Sequence, residues 1–313
     1  MQAKHVFGSA QIIGLLAALC LPSLVHAQSE GPSGVTGLGD PTKPTREDTM
    51  ETARGLGMGS GARAGAMAMS ALAYNPANLG LTKAYHIEAF STIIPGDDTS
   101  WTIGSGVVDS TTSKLSLGTS FRGTFGGENR EYKGWDWRSA IGLTFAKQFG
   151  MGIAVRWSSI KPRKDGDDQP KGPRLEAITM DAALRFTPTP WLNIAGLGYN
   201  LIKTDSPLAP QMAGGSVSIA PMESFDFGGD VLVDLSTFED PKIIGGAGVE
   251  YLAGGQVPIR AGYRRDQGRD LNQITASIGW AKQKFGVETA LRQDLSGDDK
   301  ETYLLISARF VVK

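Results

Sequence analysis

From Tyr85 onward, apolar and polar residues alternate with a period of two. Tyr85, Ile87, Ala89, Ser91 and Ile93 alternate with His86, Glu88, Phe90 and Thr92, the pattern of a strand with two unlike faces. The alternation recurs to the end of the chain and predicts about fourteen strands, near 85–94, 100–109, 113–123, 136–148, 151–160, 175–186, 191–203, 214–221, 223–235, 242–252, 257–265, 271–281, 284–293 and 302–312. Ile141, Leu143 and Phe145 share one face of the fourth, opposite Arg138, Thr144 and Gln148. Leu304, Ile306, Ala308 and Phe310 share one face of the last, opposite Ser307 and Arg309.

The links between these strands sort by parity. After the third, fifth, seventh, ninth, eleventh and thirteenth they are long or polar, such as GTFGGENREYKG and KPRKDGDDQPKGPR; after the fourth, sixth, eighth, tenth and twelfth they are tight, such as Thr187-Pro188-Thr189-Pro190. An even strand number with loops sorted onto two sides predicts a transmembrane antiparallel β-barrel, with short turns in the periplasm and longer loops outside. Trp101, Trp137, Trp157, Trp191 and Trp280 are then expected near strand ends, as an aromatic girdle.

Ahead of the strands lies a stretch of another kind. Ala53 to Leu81 reads ARGLGMGSGARAGAMAMSALAYNPANLGL, apolar, small, and charged only at Arg54 and Arg63. Met58, Ala62, Ala66, Met69 and Leu72 approximate helical spacing until Pro76 breaks it. So glycine-rich a segment makes a poor exposed helix and calls for a cavity, which a barrel lumen supplies. Gly55, Gly57, Gly59 and Gly61 read as close-packing positions, since no strand leads into them and no Gly-Lys-Ser/Thr follows as a phosphate loop requires.

The first residues read as an export signal. Lys4 and His5 precede an uncharged run from Val6 to Val25, and Val25-His26-Ala27 forms a small-x-small cleavage site. The expected organisation is a signal peptide at 1–27, a flexible periplasmic leader at 28–49, a plug segment at 50–83 and an outer-membrane barrel at 84–313. Cleavage of the signal peptide would carry off Cys20, the only cysteine, together with His5 and His26, leaving His86 as the one histidine. Thiolate and histidine-cluster metal sites are thereby excluded, and no cofactor is expected. A near-neutral balance of 31 basic and 32 acidic residues gives no pull toward nucleic acid. One histidine without a recognisable partner motif argues against an enzyme.

The remaining chemistry is the charge on the inward faces. Arg122, Arg138, Arg156, Arg185, Arg260, Arg264 and Arg309 face Asp181, Asp226, Asp230, Asp234, Glu250 and Glu288. Of these, Arg156, Arg185, Asp230, Asp234, Arg260 and Arg264 are candidates either for a lumenal salt-bridge network or for pairing with the carboxylate of an amphipathic substrate.

The run GARAGAMAMSALAYNPANLG resembles the N-terminal segment of the long-chain fatty-acid transporter (FadL-like) barrels and their relatives, including the shuttle barrel of type IX secretion. In that family Asn-Pro-Ala lies in a plug-forming segment. Gly198-Tyr199-Asn200-Leu201, Asp230 to Leu235, and GAGVEYLAGGQVPIRAGYRRD at Gly246 to Asp266 extend the similarity along the chain. The resemblance implies a fourteen-strand outer-membrane barrel with Arg63, Asn75, Pro76 and Ala77 in the plug or gate. It also implies a hydrophobic or amphipathic small molecule as cargo. A second expectation is a non-transporting barrel that anchors an envelope machine for secretion or surface motility. Expected partners are outer-membrane lipid, the barrel assembly machinery, a hydrophobic small molecule and envelope-complex proteins.

Overall fold

The computed structural model describes residues 52–95, 99–126, 132–145, 148–162, 175–204, 206–296 and 300–312. The expected signal peptide (1–27) and leader (28–49) lie outside these. The strands are β1 (Tyr85–Ile94), β2 (Ser100–Asp109), β3 (Leu115–Gly126), β4 (Tyr132–Phe145), β5 (Phe149–Pro162), β6 (Leu175–Thr189), β7 (Leu192–Tyr199), β8 (Met212–Met222), β9 (Phe225–Asp234), β10 (Lys242–Ala253), β11 (Val257–Asp266), β12 (Leu271–Lys282), β13 (Phe285–Asp294) and β14 (Thr302–Val312). Each pairs antiparallel with its sequence neighbours, and β1 closes on β14 from Tyr85↔Val312 to Ile93↔Leu304. Closure removes the sheet edges that lipid would leave without hydrogen-bond partners.

The sequence-predicted strands coincide with these fourteen in order, and most ends agree within a few residues. β7 is the exception, ending at Tyr199 rather than near residue 203. Asn200 takes a left-handed φ of 52°, its N–H donates to Asp181 Oδ1 at 2.7 Å, and its side-chain amide donates to Pro210 O at 2.7 Å. The chain turns inward there, and Leu208 and Ala209 bury against Ile160 and Leu175 as a cap over the long-loop end of the lumen. Among the described residues loop parity holds: 190–191, 223–224, 254–256 and 283–284 are short turns, against the longer 235–241 at the other end.

The period of two separates two environments. Ile103 is 54% exposed, Ile141 43% and Val231 54%, whereas inward Arg138 and Asp230 are each 4% exposed. An apolar outer belt over a charged interior is the inverse of a water-soluble sheet and suits lipid outside. Aromatic residues ring the short-turn end: Phe145, Phe149 and Phe186 stack in succession at 6.0 and 4.9 Å, and Phe225 meets Tyr251 at 4.7 Å. Trp101, Trp191 and Trp280 sit at strand ends as expected. Trp137 and Trp157 do not; they are register partners well inside β4 and β5, where Trp135 meets Trp157 edge-on at 4.9 Å.

Inside this wall lies the segment that precedes β1. It is not one helix. α1 (Ala53–Gly57) is capped by Thr52 Oγ1, which accepts from Gly55 N at 3.2 Å, and α2 (Met69–Tyr74) leads into a 3-10 turn at Pro76–Asn78. Between the helices Gly59, Ser60 and Ala68 take positive φ angles of 60°, 67° and 50°, which break the helical path that the spacing of Met58, Ala62 and Ala66 suggested.

Candidate functional site

The inner segment lies against the wall at backbone depth, and its alternate glycines set the contact. Gly57 meets Ser277 of β12, Gly59 the backbone of Tyr263 on β11, Gly61 the backbone of Gly228 and Ala247 on β9 and β10, and Gly65 Ser218 of β8. The wall answers with glycines of its own. A Cβ at Gly246 would stand 2.0 Å from Gly59 O, and one at Gly248 2.5–2.7 Å from three backbone atoms of Met58. No side chain fits at either place unless the segment moves.

Two arginines fasten the segment. Arg63 Nη1 donates to Asp230 Oδ2 at 2.7 Å and Ser60 O at 2.8 Å, and Nε to Tyr199 OH at 3.1 Å. Its guanidinium lies between two rings, 5.4 Å from Tyr74 and 5.8 Å from Tyr199. Asp230 Oδ1 accepts from Ser216 Oγ, which accepts in turn from Ala64 N at 2.7 Å. Arg54 Nη2 donates to Asp226 at 2.5 Å, Nε to Glu250 at 3.2 Å and Nη1 to Gly65 O at 2.5 Å. Burial works against the Arg54 charge, but Glu250 and then Asp226 outweigh it and hold the guanidinium above the ordinary arginine value.

The Asn-Pro-Ala turn fastens the other half. Asn75 Nδ2 donates to Arg63 O at 3.0 Å, and Asn78 Nδ2 donates to Ala64 O at 2.8 Å and Ala66 O at 3.0 Å. Pro76 opens the 3-10 turn, where a missing N–H costs no bond. Ala77 rides on a wall of glycines: a Cβ at Gly152 would stand 2.3 Å from Pro76 C and 2.5 Å from Ala77 N.

The lumenal charges form two groups. Toward β9–β14, Arg54 shares Glu250 with Arg260; Arg260 Nη1 reaches Glu288 at 2.7 Å, and Arg309 donates to the other Glu288 oxygen. Across the lumen, Arg156 Nε meets Asp136 at 2.5 Å with Arg122 at 3.8 Å behind, while Arg138 joins Asp181 at 2.5 Å and donates to Leu72 O at 2.7 Å. A cavity of about 350 Å³ opens at the short-turn end beneath the first group, with Met67, Met69, Leu252 and Phe285 as apolar lining beside Glu250 and Arg260. His86 lies at its margin, 3.0 Å from Glu88. Among the described residues no three His, Cys, Asp or Glu side chains are grouped to hold a metal ion.

No family model matches the sequence, and no curated protein matches it. Solved structures do match. The toluene transporter TbuX of Ralstonia pickettii has a TM-score of 0.61 at 14% identity, with 84% of this chain and 98% of that one covered. A Pseudomonas aeruginosa FadL homologue has a TM-score of 0.60 at 10% identity, with 84% and 98% covered. The CymD monoaromatic hydrocarbon channel has a TM-score of 0.58 at 11% identity, with 76% and 90% covered. The fold is that of the FadL-like outer-membrane barrels.

In this barrel the sequence-predicted site residues separate into roles. Arg63, Asn75, Pro76 and Ala77 come together in the inner segment, joined by the Asn75–Arg63 bond. Arg156, Asp230 and Arg260 are members of ion pairs. Asp234 is a strand-end cap that accepts from Ser236 N at 3.1 Å and Thr237 N at 3.0 Å, remote from the cavity. Arg264 points inward on β11, 5% exposed, toward the long-loop half. Arg185 is inward on β6, 3% exposed, across the lumen from the cavity. Asn78, Tyr199 and Ser216 were missed, although the Asn-Pro-Ala-Asn spacing repeats an amide three residues on and was a usable signal for Asn78.

Proposed function

We propose that this chain is an outer-membrane protein that binds a hydrophobic or amphipathic small molecule and passes it across the membrane, with the inner segment as its plug. The observation that carries this reading is the 350 Å³ cavity between plug and wall, within the range of small-molecule sites and lined by both apolar groups and an ion-pair chain. The neighbours of the same fold named as a toluene transporter and a monoaromatic hydrocarbon channel support it. Passage requires the plug to shift, because Arg54 and Arg63 tie it to β9 and β10 while Pro76 and Ala77 rest on β5. Mass spectrometry of gently extracted protein is the test. A co-purified hydrophobic molecule, released when Met67 and Met69 are replaced by larger or polar residues, is expected. Empty protein, with uptake of hydrophobic compounds unchanged on gene deletion, would overturn the reading.

The depth of the plug contact favours a second reading. Backbone packed on glycines of β4, β5, β9, β10 and β11 suits a fixed core, and a barrel with a fixed core would serve as an anchor or docking partner for an envelope machine. Affinity capture from membranes tests it, with a stoichiometric envelope partner expected and its absence counting against.

A further inference from the structure

The lipid faces of β4 and β5 change character along their length. At the short-turn end they begin with Phe145 and Phe149, register partners whose rings stack at 6.0 Å. Ten residues up β4 and eight up β5 stand Trp135 and Trp157, whose rings meet edge-on at 4.9 Å, with Phe121 of β3 stacked on Trp135 at 6.2 Å. At about 3.4 Å per residue and a tilt of about 40°, eight to ten residues climb about 21–26 Å, the height of the apolar band between two aromatic girdles. The outer boundary of the membrane therefore crosses these strands at the tryptophans, and the residues beyond them stand among lipid head groups.

The next charges on that outward face are Lys133 and Lys161. They are register partners, both exposed, twelve residues above Phe145 and Phe149 and so about 31 Å up by the same geometry. Like charges directly opposite each other, with Cα atoms about 4.5–5.5 Å apart, destabilise a sheet. Among the described residues no ion pair or hydrogen bond reaches either ammonium, whereas outward Arg265 on β11 has Asp270. Glu176 of β6 stands opposite Ser159, out of register with the pair, and has a contact of its own. The two loops continuing from these strand ends, 127–131 and 163–174, carry five basic and five acidic residues between them and supply no net counter-charge. In bulk water such a pair would be a solvated rim. Here the indoles form its floor and the head groups surround it, a setting in which the lysine stems lie along the rings and the ammonium groups meet phosphate.

We propose that Lys133 and Lys161, over the Trp135–Trp157 floor, seat a phosphorylated lipid of the outer leaflet, with one phosphate held between the two ammonium groups and the acyl region against the rings. A phosphate between them turns their repulsion into attraction to a shared anion. The seat lies on the outer wall, away from cavity and plug. It rests on the outer-membrane placement proposed above and not on transport.

Native mass spectrometry of the detergent-purified barrel tests this with bisphosphorylated lipid A, its dephosphorylated form and phosphatidylcholine as probes. The proteins are wild type, Lys133→Gln, Lys161→Gln, the double variant and a charge-matched control at the short-turn end, Lys83→Gln/Lys284→Gln. Wild type is expected to retain one bisphosphorylated lipid A, the double variant to bind it roughly 30-fold more weakly and each single variant at least about 5-fold more weakly, with the control unchanged. Dephosphorylated lipid A and phosphatidylcholine are expected to ignore all the substitutions. Without lipid, both single variants should melt no lower than wild type, because a like-charge contact is removed. Equal binding by the double variant, an equal loss in the control, or equal affinity for dephosphorylated lipid A would overturn the proposal, as would a marked loss of stability in either single variant. Insertion into phosphatidylcholine vesicles separates the two readings. A barrel that inserts but shows no lysine-dependent preference loses this site and keeps its membrane placement, whereas one that fails to insert loses both.

Discussion

Arg63→Met is the most exacting perturbation of the inner segment, because its cost comes mainly from what it leaves behind. Asp230 is 4% exposed and receives one charged donor, Arg63, alongside the Ser216 hydroxyl. Methionine keeps much of the side-chain volume and removes the charge, so Asp230 becomes a buried carboxylate without its counter-ion. Breaking a buried pair from one side costs about 3–5 kcal/mol. Loss of the bonds to Ser60 O and Tyr199 OH and of the stacking between Tyr74 and Tyr199 acts in the same direction. Since the wall is held by strand pairing that Arg63 does not touch, the loss should fall on local release of the plug. Hydrogen exchange of the amides at 58–68 reads that equilibrium, and a rise of roughly two to three orders of magnitude is expected, with the strand amides unmoved. Arg63→Met/Asp230→Asn, which removes the stranded charge, should recover part of the protection. If the single and double variants exchange alike, the ion pair does not hold the plug and the electrostatic reasoning fails.

Other outcomes follow from the same contacts. Gly248→Val places side-chain atoms where the Met58 backbone now lies, so the heat-modifiable barrel should still form with the plug displaced, seen as exchange at 58–68 and raised pore conductance; normal values would refute the close-contact account. Asn78→Ala removes the donor to Ala64 O and Ala66 O and should weaken plug docking by about 1–3 kcal/mol in the same exchange measurement, while Asn78→Asp, which cannot donate, should do no better. Ile141→Arg, on the lipid face of β4, should destabilise barrel refolding into vesicles by roughly 2–4 kcal/mol; a neutral effect would place that face away from lipid.

The barrel was legible because its determinants are local and repeated. Alternation along each strand and loop parity between strands need only neighbouring residues, and Ala53 to Leu81 stood out by composition. Long-range terms were hidden. The positive-φ residues Gly59 and Ser60 lie where the backbone is pressed against β11 and β10, which helical spacing cannot register. β7 was drawn too long because Asp181, on another strand, captures Asn200 N and turns the chain inward. Trp137 and Trp157 were placed at strand ends because β4 and β5 run past them by several residues. Many of the lumenal charges were recognised as inward-facing, but Asp136 was missed, and pairing them required the register. Only then does Arg185 differ from Arg156, since Arg156 finds Asp136 on the adjacent strand and Arg185 finds no carboxylate among the described residues.

If the proposed cargo passes this barrel only when the inner segment moves, a reversible lock on that segment stops passage. A Cβ at Gly65 would lie 3.1 Å from the Ser218 Cβ, a few tenths of an ångström inside ordinary disulfide geometry, and Cys20, within the expected signal peptide, is the only native cysteine. Uptake of a fluorescent amphipathic probe would be followed in cells carrying Gly65→Cys/Ser218→Cys. Oxidation is expected to abolish uptake and reduction to restore it, with wild type responding to neither. Equal uptake in oxidised, reduced and gene-deleted cells would contradict this.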